Sequence, residues 1–212
     1  MFDTVLIAGL GLMGGSMAKT IKARTLSRVL GWNRTRATAE QALADGSIDA
    51  IATEALYKEA DLVIIGLYPQ ATVDWLLENM PKMKKGCVIV DMVGVKQFMV
   101  DHLEQAALDA GVHYVGGHPM AGREVGGYDN SLDNLFDNAS FICTPYEDTP
   151  KNKVDALLGL AEDMHFARTV VTTPEHHDEM IAFTSQIAHV LACSYVLSPL
   201  APMHSGYSAG SY

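Results

Sequence analysis

The apolar residues of this chain fall into short runs that are separated by helical segments. Each run is almost wholly apolar and ends at Gly, Pro or a charged residue, which is typical of strands covered on both faces of a parallel sheet. The predicted strands are residues 4–8, 29–32, 61–67, 87–90 and 113–115, and the predicted helices between them are residues 13–23, 35–45, 71–79 and 95–110. This alternation predicts βαβ units and an α/β fold.

The pattern changes after Pro119. Residues 121–138 are rich in Gly, Asn and Asp and are predicted to form a loop with one short helix. Two further strands are predicted at 140–144 and 166–171, with a helix at 151–165 between them. A last helix begins after Thr173, a cap candidate followed by Pro174 and Glu175, and its pattern continues to about residue 197.

The composition is that of an acidic, folded chain. The 212 residues have a formal net charge of −10, and 49% of them are hydrophobic against 19% charged, which excludes a disordered chain. A negative mean field repels phosphate backbones and anionic lipid surfaces, and no apolar run reaches the roughly 18 residues that a membrane span needs. We therefore expect no nucleic-acid partner and no membrane partner.

The cysteines and the first residues predict a cytoplasmic protein. Cys87, Cys143 and Cys193 are an odd, widely spaced set without a CxxC pair, which favours a reducing compartment and no zinc site. The chain enters its first strand pattern without a basic segment or a cleavable apolar segment, so we expect no signal peptide. No cluster of ligand residues stands at metal spacing, and we predict no metal site.

A glycine motif joins the first predicted strand to the first predicted helix. The motif is G-x-G-x-x-G, and it consists of Gly9, Leu10, Gly11, Leu12, Met13 and Gly14. Its three glycines allow a tight turn, a close approach of the backbone to a pyrophosphate, and close packing of helix on strand. The free N–H groups of the helix N-terminus attract phosphates. The motif predicts a Rossmann-type, doubly wound, mostly parallel sheet that binds a dinucleotide; the alternative is a glycine-rich turn without a ligand.

The end of the second strand bears on which dinucleotide binds. An acidic residue there would bind the ribose hydroxyl of NAD and repel the 2′-phosphate of NADP. The chain has Asn33, Arg34, Thr35 and Arg36 at this place, and guanidinium groups pair well with a phosphate. We expect NAD or NADP, with NADP weakly favoured. The alternative is that the arginines are solvated and Asn33 bonds the ribose of NAD.

Three more residues are assigned to the cofactor site because ligands bind at the carboxyl ends of parallel strands. Tyr68 and Pro69 end the third predicted strand, and Asp91 ends the fourth. Asp91 and Lys96 bracket the turn that follows. Either residue lines the cofactor cleft or caps the next helix.

His118 is the best catalytic candidate. It follows the fifth predicted strand in the sequence GGHPMAGRE, between two glycines and Pro119. A neutral imidazole there could accept a proton from a substrate hydroxyl while a hydride leaves the same carbon. The alternative is a structural histidine.

The last predicted helix carries a polar stripe. His177 and Asp178 lie near its start, and Asp178, Ser185 and His189 fall on roughly one face. This stripe is either the wall of a cleft or a polar seam between helices, and the sequence leaves both open.

These segments together resemble the prephenate/arogenate dehydrogenase family of tyrosine biosynthesis over essentially the whole chain. The segments that carry the resemblance are residues 9–16 (GLGLMGGS), 91–96 (DMVGVK), 117–124 (GHPMAGRE) and 177–189 (HDEMIAFTSQIAH). The resemblance implies oxidative decarboxylation of prephenate or arogenate by NAD(P)+, to 4-hydroxyphenylpyruvate or tyrosine. It implies that His118 draws the proton from the ring hydroxyl, that Glu124 helps to gate the substrate, and that His189 lies near the nicotinamide and substrate.

The chain departs from the family pattern in three respects. Gly94 stands where many members have a serine that bonds the catalytic histidine, and Gln186 stands where many have a histidine. The family also continues into a helical dimerisation domain that carries an arginine for the substrate carboxylate, so we expect this chain to be truncated. We predict a dinucleotide-binding domain at residues 1–172, the start of the helical C-terminal dimerisation domain at 173–212, and a homodimer formed through the C-terminal helices.

Two other functions remain open from the sequence. The β-hydroxyacid dehydrogenases share the GLGxMG turn, but they lack the GGHPMAG segment and use a lysine on a later helix, and this chain has no lysine after Thr172. A non-catalytic dinucleotide-binding module would keep the glycine motif and leave His118 idle.

Overall fold

A single eight-stranded sheet forms the centre of the structure, a computed structural model that describes residues 2–205. In chain order the strands are β1 Thr4–Ala8, β2 Arg28–Trp32, β3 Ala50–Ile51, β4 Leu62–Ile65, β5 Val88–Asp91, β6 His113–Pro119, β7 Ser140–Pro145 and β8 Arg168–Val171. Their order across the sheet is β3-β2-β1-β4-β5-β6-β7-β8. Neighbouring strands are parallel except for β6 and β7, which run antiparallel. The predicted doubly wound, mostly parallel sheet is confirmed.

Helices cover both faces of this sheet. They are α1 Leu12–Arg24, α2 Arg36–Ala44, α3 Glu54–Tyr57, α4 Pro69–Asn79, α5 Gln97–Ala110, α6 Lys151–Asp163, α7 Pro174–Ile181 and α8 Ile187–Val196. A π-helical segment, Ala182–Gln186, connects α7 and α8. None of the helices in the described part of the chain is both long enough and apolar enough to cross a membrane.

The apolar runs of the sequence are explained by two cores, one on each face of the sheet. In β1, Val5 and Ile7 belong to the core that α1 and α6 cover, and Leu6 and Ala8 belong to the core that α4 and α5 cover. Successive side chains of a strand point to opposite faces, so a strand covered on both sides must be apolar at every position.

Several element bounds differ from the predicted ones. Strand β3 has two residues and α3 has four, which is too short for any periodicity, and neither is predicted from the sequence. Strand β6 continues four residues beyond its predicted end at residue 115, because its second half pairs with β7 from Val115 opposite Pro145 to Pro119 opposite Phe141. The long last helix is interrupted by the π-helical segment.

The predicted start of the last helix is confirmed. The side chain of Thr173 accepts a hydrogen bond from the backbone N–H of His176 at 3.3 Å, and Pro174 is the first helical residue. Helix α7 packs on the sheet domain, with His177 and Ile181 buried, whereas the residues of α8 are exposed. Its assignment to a separate dimerisation domain stays a prediction, and the last part of that predicted domain, residues 206–212, lies outside the described residues.

Candidate active site

Three glycines at the end of β1 shape a narrow turn into α1. Gly9 has a φ of +95°, and a β-carbon there would lie 2.6 Å from the carbonyl oxygen of Gly66. A β-carbon at Gly14 would lie 1.8 Å from the carbonyl oxygen of Gly9, so α1 approaches β1 this closely only without a side chain. A β-carbon at Gly11 would meet nothing within 4 Å. Gly11 therefore faces open space, where a ligand can come close to the backbone.

That open space is a cavity of about 310 Å³ at the carboxyl ends of β1, β4 and β5. It is lined by Gly11, Leu12, Met13, Gly66, Leu67, Tyr68, Met92, Val125, Gly126 and Gly127. Helix α1 begins here without a side-chain cap, so the N–H groups of its first turn and its positive dipole end face this cavity. These features fit the pyrophosphate of a dinucleotide.

The end of β2 is fixed against the glycine turn by Asn33. Its Oδ1 accepts the backbone N–H of Leu10 at 2.9 Å, and its Nδ2 donates to the carbonyl of Thr35 at 3.1 Å. Arg34 and Thr35 are exposed, and the guanidinium of Arg36 pairs with Glu40 of the same helix at 2.8 Å. The Asn33 side chain thus holds the glycine turn against the end of β2, in addition to any contact that it makes with a ribose.

His118 lies in β6, half-buried, opposite Ile142 of β7. Its Nδ1 is 2.8 Å from Nε2 of His177. On the other side of the ring, a β-carbon added at Gly94 would lie 3.9 Å from Nε2. Gly94 belongs to the turn after β5, and Met92 of the same turn lines the cavity. The Nε2 side of the imidazole therefore faces the turn that contributes Met92 to the wall of this crevice.

The environment of His118 keeps its ring uncharged at neutral pH. Burial lowers the pKa of His118 to about 4, and the positive charge of Lys96 and the neighbouring His177 act in the same direction. An uncharged imidazole has a lone pair, and this is the form that can accept a proton from a hydroxyl group.

A buried ion pair lies beside His118. Lys96 Nζ is 2.5 Å from Asp91 Oδ1 and donates to the carbonyl of Val93 at 2.6 Å, and the Tyr114 hydroxyl donates to Asp91 Oδ2 at 2.5 Å. Burial lowers the pKa of Lys96 and raises that of Tyr114. The carboxylate that the sequence assigned to the cofactor thus has both oxygens bonded inside the protein. Its assignment to the cofactor site stays a prediction, and Lys96, the other residue that brackets this turn, stands at the N-cap position of α5.

The two glycines before His118 allow this ion pair to reach β6. A β-carbon at Gly116 would lie 2.7 Å from Cδ of Lys96, and one at Gly117 would lie 2.5 Å from the carbonyl oxygen of Asp91. The space that these glycines leave is filled by the protein itself, which brings the Lys96 charge close to His118.

Helix α7 brings two more polar residues to His118. His177 is 1% exposed, and its Nδ1 is 2.7 Å from Asp178 Oδ1. Asp178 also accepts the backbone N–H of Lys96 at 2.8 Å and of Gln97 at 2.9 Å, where α5 begins. The polar stripe is therefore a seam between helices at Asp178, and the adjacent His177 contacts His118 from α7. The sequence placed these residues on one helix, but no pattern along the chain related His177 to a strand 59 residues earlier.

The remaining predicted site residues lie around the crevice or apart from it. Tyr68 precedes α4, Pro69 is the first residue of α4, and the side chain of Tyr68 is exposed. Glu124 is exposed in the loop after β6, next to the cavity-lining Val125. His189 is exposed on α8, and within residues 2–205 no hydrogen bond or ion pair joins it to His118. No group of three His, Cys, Asp or Glu side chains in that range is arranged to hold a metal ion.

Comparisons with known proteins find a family model and relatives that match most of the chain. The sequence model of the family "Prephenate dehydrogenase, nucleotide-binding domain" matches residues 17–178. The prephenate dehydrogenase of Bacillus subtilis is 35% identical over an alignment that covers 100% of this chain and 59% of that protein. The cyclohexadienyl dehydrogenase of Zymomonas mobilis is 31% identical, with 99% of this chain and 70% of that protein covered.

A solved structure has the same architecture. The prephenate dehydrogenase from Aquifex aeolicus, in complex with hydroxyphenyl propionate and NAD+, superposes with a TM-score of 0.83 at 26% identity. The superposition covers 100% of this chain and 72% of that one. The chain spans 59% of the length of its Bacillus relative, so the relatives contain further residues that have no counterpart here.

Proposed function

Since the chain belongs to the prephenate dehydrogenase family, we propose that it carries out the oxidative decarboxylation of prephenate or arogenate with NAD(P)+. The observation that carries this proposal is the position of His118, whose Nε2 faces the turn that contributes Met92 to the glycine-lined crevice. Burial lowers the pKa of His118, which leaves its ring uncharged at neutral pH. The β-hydroxyacid dehydrogenase alternative has less support, because residues 173–212 contain no lysine and the matching family model is that of prephenate dehydrogenase.

In this reaction His118 accepts one proton and later returns it. Its Nε2 accepts the proton of the ring 4-hydroxyl as the carbon–hydrogen bond at the same ring carbon breaks. The bound nicotinamide supplies the hydride acceptor. The bond to the ring carboxylate then breaks, carbon dioxide leaves, and the electron pair makes the ring aromatic. His118 returns its proton to the phenolate oxygen, so the products are 4-hydroxyphenylpyruvate or tyrosine with no net proton released.

The chain supplies the other roles through groups around the crevice. We assign phosphate binding to the first turn of α1, and gating of the substrate to Glu124 in the loop after β6. For His189 we propose a contact with nicotinamide and substrate. Support for that contact comes from its position on the helical run that also carries His177.

We propose that NADP+ is preferred to NAD+. Residues 33–36 contain no carboxylate that would repel a 2′-phosphate, and Arg34 is exposed at the end of β2. NADP+ differs from NAD+ by the 2′-phosphate, and the exposed guanidinium of Arg34 can pair with that group. We therefore expect the preference for NADP+ to depend on Arg34.

The function is tested by supplying prephenate and arogenate with either cofactor and following the absorbance of the reduced nicotinamide. We expect His118→Asn to lower kcat/KM by about 10³-fold, since general base catalysis contributes about 10²–10⁴-fold. His176→Asn is the matched control, because this histidine is exposed on α7 and its ring lies 3.7 Å from Glu179.

The outcomes separate the hypotheses. A His118→Asn variant as active as the wild type would remove His118 from the mechanism. Cofactor binding without turnover of either substrate would favour a non-catalytic dinucleotide-binding module. For the cofactor, Arg34→Ala is expected to weaken NADP+ binding and to leave NAD+ binding unchanged, and equal losses for both would contradict the proposed preference.

A further inference from the structure

A chain of three side chains runs from His118 through the buried His177 to the partly exposed Asp178. His118 Nδ1 faces His177 Nε2 at 2.8 Å, and His177 Nδ1 faces Asp178 Oδ1 at 2.7 Å. Both nitrogens of the buried His177 ring are therefore engaged, one toward β6 and one toward its own helix. A neutral imidazole has one N–H donor and one acceptor nitrogen, so the direction of one hydrogen bond determines the direction of the other.

The chain ends at an ionised carboxylate. Asp178 accepts two backbone N–H groups at the start of α5, at 2.8 and 2.9 Å. Burial opposes its ionisation, but the hydrogen bonds from Gln97, His177 and Lys96 outweigh burial and hold the pKa of Asp178 below its usual value. The positive end of the α5 dipole acts in the same direction. An ionised carboxylate only accepts hydrogen bonds.

The proton positions follow from this end outward. His177 must donate from Nδ1 to Asp178, so its Nε2 must accept. His118 must then donate from Nδ1 to His177, which leaves Nε2 of His118 without a hydrogen. Burial lowers the pKa of both histidines, so both are neutral at pH 7. The charged groups that face the pair are Lys96 and Asp91 beside β6, and Asp178 on α7.

The lone pair of His118 is directed to the crevice side. Nε2 faces Gly94, an exposed residue without a side chain in the turn after β5. We propose that His177 and Asp178 are positioning residues that select the tautomer of His118 with hydrogen on Nδ1, so that Nε2 is always ready to accept a proton. Because position 94 is glycine, that turn offers no side-chain hydroxyl to occupy Nε2.

The catalytic consequence rests on the proposed function. When Nε2 takes the hydroxyl proton, His118 becomes an imidazolium whose Nδ1–H already points at His177. The negative charge of Asp178, transmitted through the polarised His177 ring, stabilises that cation until the proton returns to the phenolate oxygen. The same arrangement prevents the ring from turning its Nε2 into a donor, which would leave no base in the crevice.

The tautomers are measurable without any turnover. In the 212-residue chain labelled with ¹⁵N-histidine, long-range ¹H–¹⁵N correlation spectra at pH 7 distinguish the two ring nitrogens, and His118→Asn and His177→Phe assign the signals. We expect both His118 and His177 to carry hydrogen on Nδ1. A His118 signal with hydrogen on Nε2 would overturn the proposal, whether or not the chain turns over prephenate.

Variants then separate positioning from packing. His177→Phe keeps a buried aromatic ring but removes the acceptor for His118 Nδ1. We expect the His118 signal to shift toward the Nε2–H form and kcat to fall by about 100-fold with little change in KM. His177→Gln keeps a side-chain oxygen that can accept from Nδ1, and it should recover part of both losses. His176→Phe, on the exposed side of the same helical turn, should change neither.

Each outcome bears on one proposal. A full loss of the Nδ1–H signal in His177→Phe with unchanged kcat would refute the catalytic consequence. An unchanged His118 tautomer in that variant would refute the positioning role itself. Absence of turnover in the wild type, together with the expected tautomers, would count against the proposed function only. If His177→Phe does not fold by circular dichroism, the wild-type spectrum and His177→Gln still decide.

Discussion

Lys96 affects His118 through charge and not through contact with a substrate. Its Nζ is buried against Asp91, yet its positive charge is one of the causes that hold the pKa of His118 at about 4. A base with this pKa stays deprotonated over the whole neutral range. The rate should therefore fall only as the pH drops through about 4, and not near 6.5, where an exposed histidine would become protonated.

Replacing Lys96 tests this account. Lys96→Met leaves the Asp91 carboxylate buried without its counter-ion, and breaking such a pair costs about 3–5 kcal/mol of folding free energy. Lys151→Met is the control, because the Lys151–Asp155 pair is exposed and should contribute less than about 1 kcal/mol. Urea unfolding measures both.

The same variant should also raise the pKa of His118, so that kcat/KM begins to fall at a higher pH. An acid limb that stays near pH 4 in a folded Lys96→Met protein would show that burial alone sets the pKa of His118. Equal stability losses for Lys96→Met and Lys151→Met would contradict the assignment of a buried ion pair.

At the scale of elements, the turn between β1 and α1 has two separable tasks, which different glycines perform. Gly14→Ala would place a β-carbon 1.8 Å from the carbonyl oxygen of Gly9 and should destabilise the fold by several kcal/mol. Gly11→Ala meets nothing in the protein, and its stability should remain within about 1 kcal/mol of the wild type. Its β-carbon would instead obstruct the pyrophosphate, and we expect the cofactor Kd to rise at least about 10-fold, or 1.4 kcal/mol.

Unfolding in urea and calorimetric titration with NAD+ and NADP+ distinguish the two effects. Gly159→Ala in α6 is the control, since a β-carbon there also meets nothing within 4 Å but is remote from the crevice. It should leave cofactor binding unchanged and raise the free energy of unfolding by about 0.4–1 kcal/mol. Unchanged cofactor binding in Gly11→Ala would contradict the phosphate site.

The element boundaries were predictable where local chemistry sets them. The Thr173-Pro174 helix start and the apolar run of β1 need only near neighbours, and both are confirmed. The second half of β6 was not predictable, because residues 116–119 are held in the sheet by pairing with β7, which is contributed by a distant segment.

At the scale of the whole molecule, α8 presents apolar side chains to solvent. Its largest exposed ones include Val190, Leu191, Tyr195 and Val196, each more than half exposed. A helix with such a surface favours association, and the homodimer predicted from the sequence remains our proposal for what covers it.

Sedimentation velocity tests that proposal. We expect a dimer for the wild type and a shift toward monomer for Leu191→Asp, because a carboxylate in an apolar interface loses its hydration. Leu26→Asp is the control, since Leu26 is 98% exposed in the turn after α1. Pairing through α8 would be contradicted if the wild type sediments as a monomer at every concentration over about a 50-fold range. Equal effects of the two variants on the sedimentation coefficient would contradict it as well.

The sequence by itself determined the parallel sheet and the glycine turn, and it singled out His118 as the candidate base. Each depends on residues that are close along the chain: an apolar run, three glycines at fixed spacing, a histidine at a strand end. Only the tertiary structure decided how His118 is charged and oriented. The turn after β5 contributes Lys96, and α7 contributes His177 with its partner Asp178. Because the surroundings of His118 have low polarity, these charges and hydrogen bonds change its pKa and orientation in a way that no local pattern encodes.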